Sequence, residues 1–170
     1  MIKLFEDFKN KPDVNSVSNE FWKMVEIADW DAVIKGFKEH PIIDDEHKNF
    51  MKQAEFRIYN KYKFEEIKKF FVDYNFIYDK IYDYFQEIFY NGEFNVSDDS
   101  YSDLISSVIG KGKTWVNKCI ENYKLVKKMA KNDDFVENFA YILQPSENEY
   151  HKTRELFDPQ YKDMRKYNLL

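Results

Sequence analysis

Asp79, Asp83 and Glu87 recur every fourth residue, which on a helix puts three carboxylates in one row. Like charges four apart cost an isolated helix about 0.2–0.5 kcal/mol per pair, so the row asks for a cationic counterpart. Tyr78 and Tyr82 run beside it, with Tyr84 and Tyr90 close by. Tyrosine offers an apolar body and a polar tip and is enriched where proteins meet. Glu93, Asp98 and Asp99 extend the acidic stretch. The chemistry on offer is recognition of a positively charged protein surface, because opposed charge speeds encounter. The concrete expectation is a non-enzymatic protein-binding module. It reads as a small acidic inhibitor or immunity-type protein that occludes a partner, in bacterial toxin neutralisation or phage counter-defence.

A second set has the opposite sign. Lys111, Lys113, Lys118, Lys124, Lys127, Lys128 and Lys131 face a single acid, Glu121, whereas residues 73–103 carry eight acids against Lys80 alone. The near-neutral chain is therefore bipolar. Lys111, Lys113, Lys118, Lys124, Lys127 and Lys128 carry the alternative reading, a phosphate or nucleic-acid binder. Solvated faces, or a match between the two segments, would also account for the charges. Ser107 to Thr114 ends in Gly-Lys-Gly-Lys-Thr, close to a phosphate-cradling loop, but Ser107 stands where the first glycine belongs and a helical pattern precedes it. A helix-breaking turn explains those glycines better.

Other reactive residues point to structure. Glu147 and His151, four apart, make half a metal site with no second histidine nearby, and His40 and His47 read as surface groups. Cys119 lies in the apolar pattern of Trp115, Val116 and Ile120, which predicts a buried, inert thiol. Asp98-Asp99 and Asp133-Asp134 precede helical patterns, so capping accounts for them. No cofactor and no metal are expected. An enzyme with a site built from distant acids and tyrosines has the least support.

The elements that must position these groups follow from composition. The 170 residues hold 16 Phe, 13 Tyr and 3 Trp, but only 4 Gly and 4 Pro. So many aromatics exclude a disordered tail. So few turn-formers argue against a sandwich or barrel. One cysteine excludes a disulfide scaffold. The length suits one domain over residues 1–170, and no run approaches a membrane span. The acidic start, Met1 to Asp7, does not read as a secretory signal, which with the lone thiol places the protein in the cytoplasm. Net charge is -5, unlike a general nucleic-acid binder.

The periodicity predicts an all-α bundle of about seven to nine helices. Phe64, Ile67, Phe71, Tyr74, Tyr78, Ile81, Phe85 and Ile88 alternate three and four apart, which predicts a long central helix near 64–90. Phe70, Ile77, Tyr84 and Phe89 widen its apolar face. The aromatics in the stripe favour a globular core over a coiled-coil seam. Further helices are expected at Ile2 to Lys9, after Ser18, after Asp31, from Asp44-Asp45-Glu46, from Asp98 to Ser100, around Trp115 to Tyr123, and from Asp133 or Asp134 to Leu143. Asn91-Gly92 should close the central helix. Ser146 and Glu149 form a capping box for a helix through Phe157, and 159–170 should be a short, partly frayed helical tail.

Glu20-Phe21-Trp22, Asp98-Asp99-Ser100-Tyr101 and Ile109-Gly110-Lys111-Gly112-Lys113 resemble stretches of an uncharacterised bacterial domain family. Some of its members accompany WGR domains or are described as molybdenum-metabolism-regulator-like. The similarity covers chiefly 18–30 and 95–143. It implies an all-α fold and no established activity.

Overall fold

A computed structural model describes residues 11–40, 49–89, 97–136, 139–167 and 169. They are all-helical, with no strand among the described residues. The α-helices are α1 (Asn19–Ala28), α2 (Trp30–Glu39), α3 (Phe50–Lys61), α4 (Phe64–Phe89), α5 (Asp98–Gly110), α6 (Lys113–Glu121), α7 (Lys124–Lys131), α8 (Glu147–Phe157) and α9 (Pro159–Lys166). Short 3-10 turns occupy Val14–Ser16 and Phe139–Leu143. The expected helix at Ile2 to Lys9, the Asp44-Asp45-Glu46 start and the Asn91-Gly92 cap lie outside the described residues.

Side-chain caps set most of the boundaries. Ser18 accepts from the Phe21 N–H, Asn49 from Lys52, Ser97 from Ser100 and Asp158 from Tyr161. Ser146 and Glu149 form the expected box, each satisfying the other's backbone N–H. Asp31 is not the cap of α2. Asp29 holds that role from a left-handed conformation (φ 51°, ψ 60°), and the same residue closes α1. An aspartate tolerates this region because its short side chain bonds locally, here to the Ala32 N–H. The Ala28 carbonyl, freed by the abrupt end of α1, accepts from Arg57 Nε at 3.2 Å and Nη2 at 2.6 Å.

The central helix is α4, packed on α1, α5 and the Phe139–Leu143 turn. Its buried seam is rotated from the expected stripe. Ile67, Tyr74, Ile81 and Phe85 are common to both, but Phe70, Ile77 and Tyr84 of the widened face are buried where Phe64, Phe71 and Tyr78 are only half-buried. The apolar face is wide enough for either register, and the neighbours choose. Each large apolar side chain sealed this way contributes about 1.5–3 kcal/mol.

Residues 133–136 are not the helix expected there. Asp133 has a positive φ of 56° and ends α7, with the Asp134 N–H reaching back to Met129 at 2.8 Å. Two buried serines of α5 then capture the chain. Ser107 Oγ accepts from the Val136 N–H (3.2 Å) and donates to its carbonyl (3.3 Å), while Ser106 Oγ accepts from the Phe139 N–H (2.8 Å). The 3-10 turn that follows sets Phe139 edge-on against Trp30.

Gly110 ends α5 against the Trp30 ring; a Cβ there would lie 2.7 Å from two ring carbons. The expected turn sits at Gly110-Lys111-Gly112, and only Gly112 takes a positive φ (92°). Cys119 is fully buried in α6, and burial pushes its thiol up to about 12. At the carboxyl end, Tyr161 of α9 is buried against α8 under the Arg154 guanidinium, 3.7 Å from the ring centroid.

Candidate functional site

The exposed side of α4 carries the acidic row. Val72, Phe76, Asp79 and Asp83 follow one another at four, three and four residues, so they form one outward stripe. Val72 is 67% exposed and Phe76 47%, unusual for side chains of that size. Lys80 Nζ sits 4.2 Å over the Phe76 ring. Sequence reasoning missed Val72 and Phe76, because two apolar residues beside an apolar face read as core.

An open surface depression is lined by Tyr78, Asp79, Tyr82, Asp83 and Ser102. Four of the expected site residues therefore come together, joined by a serine the sequence did not single out. Among the described residues, Asp79 and Asp83 make no ion pair. Glu87 lies one turn further along α4. Asp98 and Asp99 are exposed in the first turn of α5, after the Ser97 cap, where their charge complements the helix dipole. None of these three lines the depression. Glu93 lies outside the described residues.

Beneath the surface runs a ladder of tied-down rings. Tyr74 and Tyr78 stack at 5.5 Å, Tyr78 and Tyr82 lie at 5.6 Å, and Tyr82 meets Tyr101 edge-on at 4.7 Å. Tyr74 Oη pairs with Ser106 Oγ (2.6 Å) and Tyr78 Oη with Ser102 Oγ (2.8 Å). Tyr101 Oη donates to the Tyr82 carbonyl (2.8 Å). Ser106 and Ser102, one turn apart on α5, thus take the hydroxyls of Tyr74 and Tyr78 respectively, one turn apart on α4.

Burial, chiefly, raises the pKa of Tyr74, Tyr78 and Tyr101. The hydrogen bond to Ser102 pulls Tyr78 the other way, and Asp79 and Asp103 add to the rise. These phenols stay neutral near pH 7, where they offer ring surface and hydrogen bonds rather than phenolate nucleophiles. The lining holds no histidine, cysteine or lysine. What this arrangement can do is hold a cation between carboxylates and ring faces.

The expected lysine set is split. Lys111 is half-buried, pairs with Asp31 and lies 5.1 Å over the Trp115 ring; burial lowers its pKa. Lys113 Nζ reaches Asn19 Oδ1 at 3.4 Å, and Lys127 lies 5.3 Å over the Tyr123 ring. Lys118, Lys124 and Lys128 are exposed. The phosphate-loop context is absent, because the stretch from Ser107 begins inside α5 and Ser107 itself binds Val136 and the Trp30 indole N–H (3.2 Å).

His151 Nε2 lies 3.9 Å from Glu147, and its Nδ1 pairs with the Tyr161 hydroxyl at 2.5 Å. No group of three or more His, Cys, Asp or Glu side chains suited to a metal occurs among the described residues, and none of their helices is long and apolar enough to cross a membrane. No protein-family model matches the chain, and no significant match was found among curated proteins or solved structures.

Proposed function

We propose that the chain is a non-enzymatic protein-binding module whose α4 face occludes a partner with a basic surface. The observation that carries this is the depression of Tyr78, Asp79, Tyr82, Asp83 and Ser102, with two carboxylates that make no ion pair among the described residues, continued by exposed Phe76 and Val72. Apolar anchors flanked by charge supply what an interface needs, since the rings exclude water and the carboxylates steer and orient. The ladder beneath holds the surface in its binding shape, which lowers the ordering cost of association. A small acidic inhibitor or immunity-type protein, neutralising a bacterial toxin or countering a defence system, is the form this takes, and the cytoplasm is its place.

The test is photo-crosslinking from position 76 in native lysate, with the captured protein purified and titrated against the chain. One basic partner binding at equal stoichiometry is expected. Asp79→Lys with Asp83→Lys should weaken it at least tenfold, about 1.4 kcal/mol, with thermal unfolding unchanged. Undiminished capture by the double reversal would sink this reading.

A further inference from the structure

The opposite charge has a surface of its own. Four of the eight residues of α7 are lysines and none is acidic. Lys124, Lys128 and Lys131 follow at four and three residues, so they share one face, and all three are exposed. Among the described residues none of them makes an ion pair. Three ammonium groups in line over about 10 Å of helix form a cationic edge at a different place from the acidic stripe of α4.

The geometry points to the phosphate backbone of a nucleic-acid duplex as the occupant of this edge, bound without sequence preference. A duplex presents about one negative charge per 1.7 Å of axis, and each lysine that neutralises a phosphate releases a counterion. Sequence readout is not part of the proposal, because a row of ammonium groups along one outer face meets phosphates, which carry no sequence information. Single strands are less suited. Binding them relies on rings that stack on bases, and the two rings nearest in sequence, Trp115 and Tyr123, already carry Lys111 and Lys127 over their faces. An anionic membrane is less suited too, since the apolar side of α7, Val126 and Met129, is buried in the core and cannot insert. A second copy docking its α4 face on this edge would show as self-association of the free chain by sedimentation, and that outcome would overturn the proposal. The net charge of -5 keeps the affinity weak, on the order of 10⁻⁴ M at physiological salt.

The test is fluorescence anisotropy of a labelled random-sequence DNA duplex titrated with the whole chain across a salt series. Binding is expected at low salt, with log K falling against log salt at a slope of about -2.7, three contacts at about -0.9 each. Lys124→Gln, Lys128→Gln and Lys131→Gln together should lower affinity at least tenfold and flatten the slope, with helix content unchanged. The matching triple Lys→Arg variant should bind as before. No binding of duplex at low salt, an unchanged slope in the Gln variant, or lysine-dependent binding to phosphatidylserine vesicles but not to duplex would each overturn the proposal. Partner capture by α4 is read separately and survives any of these failures.

Discussion

The outer faces of α4 and α7 carry rows of opposite charge at nearly the same spacing, yet they are built differently. Below the carboxylates of α4 lies a ladder of rings whose hydroxyls end on two serines of α5 and on the Tyr82 carbonyl. Below the lysines of α7 lies an ordinary apolar side, Val126 and Met129. A charged row over a fixed polar network has a defined shape and can recognise one partner. A charged row over a greasy helix has a defined sign and suits a polymer of opposite charge. Under the two proposals, α4 binds by shape and α7 by salt-dependent charge.

The sharpest way to break this contrast is Ser106→Ala. It removes the Ser106 bonds to the Tyr74 hydroxyl and to the Phe139 N–H, both buried. Denaturant unfolding should show a loss of about 2–4 kcal/mol. A loss below about 1 kcal/mol would mean the ladder does not hold α4. Gly110→Ala should cost about 1–3 kcal/mol, because the added methyl drives into the Trp30 ring at the end of α5. A neutral result would show that this seam yields, and with it the connection from α5 to α6.

Tyr78→Phe removes one half-buried hydroxyl pair and should cost about 0.5–1.5 kcal/mol. The same phenols give a pH readout. Their folded pKa values lie above the unfolded value of 10.0. The stability they contribute is thus complete below pH 10.0 and declines as pH rises above it. Phenolate absorbance should show a group of tyrosines that ionises only with unfolding. If all 13 titrate together near pH 10.0 in the folded chain, the ladder is open to water. The smallest effect belongs to α7, where Lys124→Gln, Lys128→Gln and Lys131→Gln should each change stability by no more than about 0.5 kcal/mol. A larger loss would mean these lysines hold the fold together rather than wait for a ligand.

The sequence made the helices legible wherever apolar spacing and caps agreed, as at Ser18, at Ser146 with Glu149, and along α4. It did not give the rotation of α4, because a face carrying both Phe71 and Phe70, both Tyr78 and Ile77, fits two registers until neighbours select one. Residues 133–136 misled because their apolar pattern is helical, while the competing bonds come from Ser106 and Ser107, some thirty positions away. Asp31 was a sound cap by type, but Asp29 reached the left-handed corner first. In the site, Tyr78, Asp79, Tyr82 and Asp83 were readable from spacing alone. Ser102, Val72 and Phe76 were not, since nothing local says that a serine meets a tyrosine of another helix or that a phenylalanine faces water.

Cys119 gives the molecule a clock of its own. The only thiol in the chain is sealed and protonated, so a thiol reagent added to the native protein finds no thiolate to attack. Reaction proceeds only through molecules in which α6 has come away from its neighbours, and its rate counts those openings. Ligands that clamp the bundle would slow the count, and a cysteine introduced at any surface position would be modified against a silent background.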